Sequence, residues 1–312
     1  MRIKEKIIAW LKLARVFFYP FNWVIYNIGV AVAYTTSQRF DFGVYVLGYI
    51  CLFLVELGTA FVNDYFDYPT DRVNKNAGTF NGGSRVLVEG KLGFNEVKAG
   101  IFVLLCLIPV FGYLLIQTDK DVSAFSILFL LSFGIFLGWG YTAPPLKFSY
   151  RGWGIGETVS SFSGGPLVIF FGYFLQTGIW TNPLPWLLSI PLFLATFGSA
   201  ILPEIPDYHA DFSVSRMTIP VIFGPRWAVI LSICFNSLAA MTGLVLWYLK
   251  IITGPIGIAL FVVIPHALVL CRALFKLIKT DDYDRKMDDI LQLGLSYMFW
   301  FALIPLLTLL WR

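Results

Sequence analysis

The sequence predicts an all-α fold, a polytopic membrane protein with nine transmembrane helices around a central cavity. Hydrophobic residues make up 58% of the 312 residues and charged residues only 13%, whereas soluble domains carry about 25% charged residues. Apolar segments close to or longer than the ~18 residues that span a bilayer recur along the whole chain. Because lipid cannot hydrogen-bond to the backbone, we expect these segments to be helices within a single membrane domain over 1–312.

The apolar segments divide into nine predicted spans. Before the first of them, a short helix over 1–15 is expected to lie on the membrane surface, because Ile3, Ile7 and Leu11 are interspersed there with lysines. The spans are expected at about 16–36, 43–62, 96–117, 122–141, 157–176, 184–203, 226–249, 255–277 and 290–310.

The distribution of Lys and Arg predicts the orientation of the spans. If the N-terminus lies in the cytoplasm, 19 of the 23 basic residues fall on the cytoplasmic side. The opposite side then holds Arg39, Lys120, Lys250 and Arg312. Since positive charge collects on the cytoplasmic side of membrane proteins, we expect a cytoplasmic N-terminus and a C-terminus on the opposite side.

The two long segments on the predicted cytoplasmic side, about 63–95 and about 204–225, each hold a cluster of carboxylates. The first cluster is Asn-Asp-Tyr-Phe-Asp-Tyr-Pro-Thr-Asp at 63–71, and the second is Glu-Ile-Pro-Asp-Tyr-His-Ala-Asp at 204–211. In each cluster the carboxylates stand at positions i, i+3 and i+7, a spacing that places them on one face of a helix. The carboxylates are Asp64, Asp67, Asp71, Glu204, Asp207 and Asp211.

Two acidic faces at the same end of the spans repel each other unless a cation lies between them. Mg²⁺ takes oxygen ligands and bridges carboxylates to substrate phosphates. We therefore expect the two clusters to face a common cavity and to bind a diphosphate through two or more Mg²⁺ ions, which would help an allylic C–O bond to ionise. The alternative is a pair of solvated acidic loops, and the matched spacing of the clusters favours the metal site.

Several polar residues near the clusters are candidates for binding a diphosphate. Arg72 and Arg85 follow the first cluster, and Arg216 follows the second. Tyr141 and Lys147 flank the Pro pair that ends the fourth span, so we expect both at the mouth of the cavity. The general excess of positive charge on the cytoplasmic side explains any single one of these cations equally well.

These residues resemble the motifs of the UbiA superfamily of intramembrane prenyltransferases. The segment 63–71 is similar to that family's NDxxDxxxD motif, and 204–211 is similar to its second motif, DxxxD. The segment 141–147, Tyr-Thr-Ala-Pro-Pro-Leu-Lys, is similar to its tyrosine–proline–lysine segment. The resemblance covers essentially the whole chain and implies a Mg²⁺-dependent enzyme that moves a polyprenyl chain from its diphosphate to an acceptor.

The resemblance also implies roles for individual residues. As metal ligands and catalytic residues it implies Asp64, Asp67, Asp71, Asp207 and Asp211. Tyr141 and Lys147 are implied as further catalytic residues that stabilise the diphosphate or an allylic cation. The candidates for substrate binding are Asn63, Arg72, Arg85, Lys147, Glu204 and Arg216.

The acceptor follows less directly from the motifs. Their form resembles that of the dihydroxynaphthoate prenyltransferases of menaquinone synthesis, which implies an aromatic acceptor. Pro203 and Phe212 depart from that pattern, since relatives often have Asn and usually have a basic residue at these positions. The alternatives are a chlorin, a haem, a phosphosugar, a glycerol lipid or intramolecular cyclisation. We expect the partners to be a polyprenyl diphosphate, an aromatic or lipid acceptor and the bilayer, not a nucleic acid.

A cation transporter is the alternative from another functional class. Transporters place their ion sites near the middle of the bilayer, whereas both acidic clusters are predicted at the ends of spans. The cluster positions therefore favour the enzyme. Glu56, in the middle of the second predicted span, is the residue whose importance would favour a transporter.

Overall fold

The computed structural model describes residues 3–252 and 256–311. Across these residues the chain forms helices and no strand, which confirms the all-α prediction. The α-helices are α1 Ile3–Leu13, α2 Tyr19–Ser37, α3 Phe42–Phe66, α4 Tyr68–Val73, α5 Phe94–Thr118, α6 Ala124–Gly140, α7 Ile155–Gly164, α8 Pro166–Thr177, α9 Leu184–Ala200, α10 Glu204–Ser213, α11 Ile219–Phe223, α12 Pro225–Tyr248, α13 Ile256–Thr280 and α14 Asp288–Leu310. The predicted start of a span at 255 and the expected position of Arg312 lie outside the described residues.

Seven segments of the described chain are long and apolar enough to cross a membrane. They are Val16–Ser37, Phe42–Phe66, Phe94–Thr118, Ile155–Thr177, Pro225–Tyr248, Phe261–Thr280 and Asp288–Leu310. The fourth predicted span is the shorter apolar helix α6, and the sixth is α9, which meets α10 at a bend of 58°. The protein is thus an integral, multi-pass membrane protein, as predicted, while the direction of the chain across the membrane stays a prediction.

The predicted surface helix is α1. Its buried residues, Ala9 and Leu13, pack in a cluster with Leu54 and Phe61 of α3. Ile3, at the start of the helix, stays exposed. A helix with one face on the protein and exposed apolar and lysine side chains elsewhere suits the surface of a membrane.

Both acidic clusters lie where a helix is interrupted. The helix α3 ends at Phe66, and α4 begins after Asp67 with Pro69 in its first turn, a position that needs no backbone donor. The first cluster therefore does not lie on one continuous helix: Asp64 belongs to α3, Asp67 to the junction and Asp71 to α4. Backbone hydrogen bonds from Asp67 to Asn63 and from Asp71 to Asp67 cross the break. The second cluster does share one helix, α10, which lies beyond the 58° bend from α9.

Close contact between the backbones of α2 and α8 helps to fix the middle of the bundle. A side chain at Gly29 in α2 would overlap the carbonyl oxygen of Ile169 and the amide nitrogen of Tyr173. A side chain at Gly172 in α8 would meet the carbonyl oxygen of Tyr26. In a membrane, where lipid is as apolar as the protein, such small residues allow the tight packing that holds helices together.

The substitution Gly29→Ala is expected to destabilise the protein by about 1–3 kcal/mol, because the added methyl group forces α2 and α8 apart. The thermal unfolding midpoint in detergent, followed by tryptophan fluorescence, should fall by several degrees. Gly243→Ala is the matched control, since its methyl group would meet the Phe301 ring at an ordinary 3.5 Å. Equal midpoints for the two variants would contradict the backbone contact at Gly29.

Candidate active site

A cavity of about 1280 Å³ lies inside the bundle. One end is polar and is formed by the two acidic clusters and by the segment 74–85. The apolar side chains that line the rest include Leu52, Val55, Leu131, Leu167, Phe171 and Met298. A cavity of this form suits a ligand with an anionic head and a long apolar tail.

The first cluster divides its carboxylates between the cavity and the surrounding protein. Asp67 and Asp71 line the cavity together with Asn63. Asp64 is 3% exposed, and its Oδ1 lies 2.7 Å from the Arg15 guanidinium. Its Oδ2 accepts hydrogen bonds from the backbone amide and the hydroxyl of Ser84. In this arrangement the oxygens of Asp64 are taken up by protein partners.

The second cluster presents all three of its carboxylates to the cavity. Asp207 Oδ1 accepts hydrogen bonds from the side-chain amides of Asn74, at 2.6 Å, and of Asn81. Asp211 is 1% exposed, and its Oδ2 accepts a 3.3 Å hydrogen bond from the Thr218 hydroxyl. Its Oδ1 has no hydrogen-bond partner. A buried carboxylate oxygen in this state is costly unless a cation or a donor approaches it.

Arg216 joins the two clusters. Its Nη1 lies 3.2 Å from Asp67 Oδ2 and 3.9 Å from Asp211 Oδ1. Asp67 also accepts a 3.1 Å hydrogen bond from the hydroxyl of Tyr150, whose ring centroid lies 5.9 Å from the Arg216 guanidinium. Residues far apart in the sequence therefore meet around one buried cation, at the polar end of the cavity.

The other predicted binding residues take different positions. Arg85 lines the cavity and donates a hydrogen bond to the carbonyl oxygen of Asp71. Tyr141 also lines it, but Lys147 lies over the Tyr150 ring, 5.0 Å from the centroid, and is not part of the cavity wall. Arg72 is exposed and away from the cavity, because the short helix α4 turns its neighbour Asp71 inward. The structure thus brings Arg85 and Tyr141 to the site and leaves Arg72 outside it.

Glu204 has a partner that the sequence did not suggest. Its carboxyl group hydrogen-bonds to that of Glu157, and both residues are buried. Glu157 also accepts a 2.9 Å hydrogen bond from the backbone amide of Ile219. These contacts of Glu157 tie α7 to α10 and to the start of α11.

Several contacting residues were missed by sequence reasoning. They are Arg15, Asn74, Asn81, Tyr150 and Glu157. Asn74 and Asn81 resemble ordinary polar loop residues, and their common partner Asp207 lies 126 or more positions away. Only Glu157 had a usable signal, since a carboxylate within a spanning segment is rare and usually functional.

The acidic residues fit a magnesium site that depends on substrate. Among the described residues, no group of three or more His, Cys, Asp or Glu side chains is placed to hold a metal ion. Mg²⁺ does not need such a group, because it usually binds one or two carboxylates together with waters and substrate phosphates. The unpartnered Oδ1 of Asp211 and the cavity-lining Asp67 and Asp71 offer oxygen ligands of this kind.

Burial changes the acidity of the first cluster. It raises the pKa of Asp67, although the nearby Arg216 opposes the change. Burial, followed by the charges of Asp64 and Asp67, raises the pKa of Asp71 to about 8. At neutral pH the metal-free protein therefore keeps a proton on Asp71, which reduces the repulsion among the carboxylates.

Comparison with known proteins now identifies the family. The model of the UbiA prenyltransferase family matches residues 24–309. The chain belongs to this family. One UbiA-family relative, the digeranylgeranylglyceryl phosphate synthase of Methanobrevibacter smithii, is 23% identical over 69% of this chain and 70% of that protein. The chloroplastic chlorophyll synthase of Avena sativa is 27% identical over 54% of this chain and 42% of that protein.

Solved UbiA-family structures share the fold. A structure of digeranylgeranylglyceryl phosphate synthase matches 99% of this chain and 100% of that chain, with a TM-score of 0.64 and 18% identity. A UbiA homologue from Archaeoglobus fulgidus, bound to DMAPP and Mg²⁺, matches 96% of this chain and 99% of that chain, with a TM-score of 0.60 and 17% identity. At these identities the likeness shows a common fold.

Mg²⁺ binding is expected to strengthen as the pH rises from about 6.5 to about 9, because the proton on Asp71 must leave before a metal ion binds. Below the raised pKa, each pH unit should weaken binding by up to about tenfold. Calorimetric titration with Mg²⁺ of the protein in lipid nanodiscs, saturated with an unreactive prenyl diphosphate analogue, would measure this slope. Asp71→Asn should flatten it, and an affinity that does not change with pH in the wild-type protein would contradict the protonated Asp71.

Proposed function

We propose that this protein is a Mg²⁺-dependent prenyltransferase that transfers a polyprenyl group from its diphosphate to an acceptor in the same cavity. The observation that carries the proposal is the meeting of Asp67 and Asp211 around Arg216, at the polar end of an otherwise largely apolar cavity. Membership of the UbiA prenyltransferase family supports it. So does the Archaeoglobus fulgidus homologue, which binds DMAPP and Mg²⁺.

In the proposed complex the diphosphate lies between the two acidic clusters. Asp67, Asp71, Asp207 and Asp211, and Asp64 if it leaves Arg15, would hold the Mg²⁺ ions. Bound Mg²⁺ would supply the positive charge that favours departure of the diphosphate. The phosphate oxygens would take hydrogen bonds from Asn63, Arg85 and Arg216, which already line the cavity.

Glu204, Lys147 and Arg72 are not expected to contact the diphosphate directly. The Glu204–Glu157 pair holds α10 in place, and Lys147 acts through the Tyr150 ring, whose hydroxyl donates to Asp67. The exposed position of Arg72 does not support a role in binding the diphosphate.

The rest of the cavity would bind the polyprenyl chain. The polyprenyl tail would pack against the leucine and phenylalanine side chains of the apolar wall. The Tyr141 ring at the cavity wall would stabilise the allylic cation by cation–π attraction, worth about 0.5–2 kcal/mol. The apolar wall also keeps out water, which would otherwise capture the cation.

Two acceptor classes have support. The digeranylgeranylglyceryl phosphate synthases, named for a lipid product, match about 70% or more of both chains in several species, and they favour a glyceryl phosphate lipid. The form of the two motifs favours dihydroxynaphthoate, whose carboxylate would pair with Arg85 or Arg216. From the Lys and Arg distribution we further propose that the polar end of the cavity and the N-terminus face the cytoplasm.

The first test is a transfer assay on the purified protein in nanodiscs with geranylgeranyl diphosphate and Mg²⁺. Geranylgeranylglyceryl phosphate and dihydroxynaphthoate are offered separately, and products are followed by mass spectrometry. A prenylated product with one acceptor is expected, and EDTA should abolish it. Asp67→Asn should lower the rate by about 10²-fold or more, since it removes a preorganised charge next to the leaving group.

The matched control for this assay is Asp121→Asn. Asp121 makes an exposed ion pair with Arg39, which lies beyond the other end of the spans, and its loss should leave the rate unchanged. Diphosphate release without transfer to either compound would keep the metal site and reject both acceptors. Absence of diphosphate release with every chain length would overturn the proposed function.

A further inference from the structure

Glu56 brings a carboxyl group into the membrane-level part of the cavity, and the reaction described so far does not use it. It lines the cavity together with Asn22 and Thr59. It precedes Asp64 in α3 by eight residues and therefore lies about 12 Å farther along the helix axis. Asn63, seven residues on, shares its helical face and also lines the cavity, as does Asp67 directly after the end of α3. Glu56 thus lies on the same wall as the diphosphate site, but deeper.

The surroundings of Glu56 leave one of its oxygens without a partner. The side chain of Asn22 hydrogen-bonds to Glu56, but Oε2 is buried and has no hydrogen-bond partner. The two neighbouring tyrosines donate elsewhere: Tyr19 to the carbonyl oxygen of Ala14 at 2.7 Å, and Tyr49 to that of Tyr19 at 3.5 Å. A role in packing α2 against α3 would account for the bond to Asn22, but not for the unpartnered oxygen.

The charges along the cavity limit what can bind beside Glu56. The described cations that line it all lie outside the spanning helices, and they are Lys12, Arg15, Lys75, Arg85, Arg216 and Lys286. Among the described charged residues of the wall, Glu56 alone lies away from the ends of a spanning helix. A carboxylate or phosphate would be repelled at this depth, where no cation offsets Glu56. A neutral donor such as a hydroxyl group would satisfy the free oxygen.

We infer that Glu56, positioned by Asn22, binds a hydroxyl group of the acceptor and takes its proton during transfer. The inference rests on the proposed function and specifies the acceptor as a molecule with a neutral hydroxyl group. Any anionic group of the acceptor stays at the polar end, near Arg85 and Arg216. An ionisable residue that faces a cavity within a spanning helix is a functional residue by default, and this assignment gives Glu56 its partner.

The step balances without a further reactant. The bond between the prenyl C1 and the diphosphate oxygen breaks, and its electron pair leaves with the diphosphate. A new bond forms between C1 and the acceptor oxygen, and the hydroxyl proton passes to Glu56. With an aromatic acceptor the ring carbon beside the hydroxyl forms the bond, and the ring proton then moves to the oxygen. After product release, Glu56 gives its proton to water in the cavity.

The test measures transfer to the acceptor separately from binding of the prenyl diphosphate. Glu56→Gln keeps the shape of the side chain and its bond to Asn22 but cannot take a proton. We expect it to bind geranylgeranyl diphosphate with Mg²⁺ within about twofold of wild type, while the transfer rate falls by about 10²-fold or more, as for loss of a general base. Asp121→Asn, which removes an exposed carboxylate outside the cavity, is the control and should transfer at the wild-type rate.

A binding measurement tests the hydroxyl contact itself. The probes are geranylgeranylglyceryl phosphate and its O-methyl ether in one arm, and dihydroxynaphthoate and its dimethoxy analogue in the other. In one arm, the wild-type protein should bind the free-hydroxyl compound about tenfold more tightly than its ether. A tenfold ratio corresponds to about 1.4 kcal/mol, which is close to the contribution of one hydrogen bond to a charged group. In Glu56→Ala this preference should disappear, while geranylgeranyl diphosphate still binds.

Three outcomes would overturn the inference. One is a transfer rate for Glu56→Gln within about twofold of wild type. Another is an unchanged preference for the hydroxyl compounds in Glu56→Ala. The third is weakened binding of geranylgeranyl diphosphate by Glu56→Gln, because Glu56 would then serve the diphosphate site or the fold. Each of these leaves Mg²⁺-dependent diphosphate release by the wild-type protein intact, whereas absence of that release is the separate failure of the proposed function.

Discussion

The polar end of the cavity depends on the pairing of buried carboxylates with partly buried arginines. Arg216 lies between Asp67 and Asp211, and Arg15 holds Asp64. Removing a charge from water costs several kcal/mol, and breaking one partner out of a buried pair costs about 3–5 kcal/mol. The arginines therefore join segments that are far apart in the sequence before any ligand binds. Without these cations, the two acidic motifs would repel each other across the cavity.

The same pairing suits the proposed reaction because the carboxylates can also bind Mg²⁺ and the arginines can also bind the diphosphate. With a diphosphate and Mg²⁺ bound, the carboxylates would exchange arginine for metal, and the arginines would exchange carboxylate for phosphate oxygen. Asp211 Oδ1 accepts no hydrogen bond, and burial raises the pKa of Asp71, so a divalent cation would relieve unfavourable burial at both residues.

The charged residues of the cavity lie at two different depths. Cations and acidic motifs gather at the ends of the helices, where a diphosphate head would lie, and Glu56 lies alone farther in. The apolar wall between these levels would accommodate a hydrocarbon chain and exclude water. Close contacts such as that of Gly29 with α8 hold the surrounding helices in place, so that the two polar levels keep a fixed spacing along α3.

The sequence by itself determined the helical, multi-pass fold, because lipid permits few other backbone structures. It also determined which segments carry the acidic motifs, since composition and helical spacing are local properties. Only the tertiary structure decided that Arg72 faces outward, that Lys147 lies over Tyr150 and that Asn74 and Asn81 bind Asp207. The break after Phe66 and the bend before Glu204 lie at the two acidic clusters and set the directions of their carboxylates. Their partners lie on other helices, so no pattern within one segment can specify them.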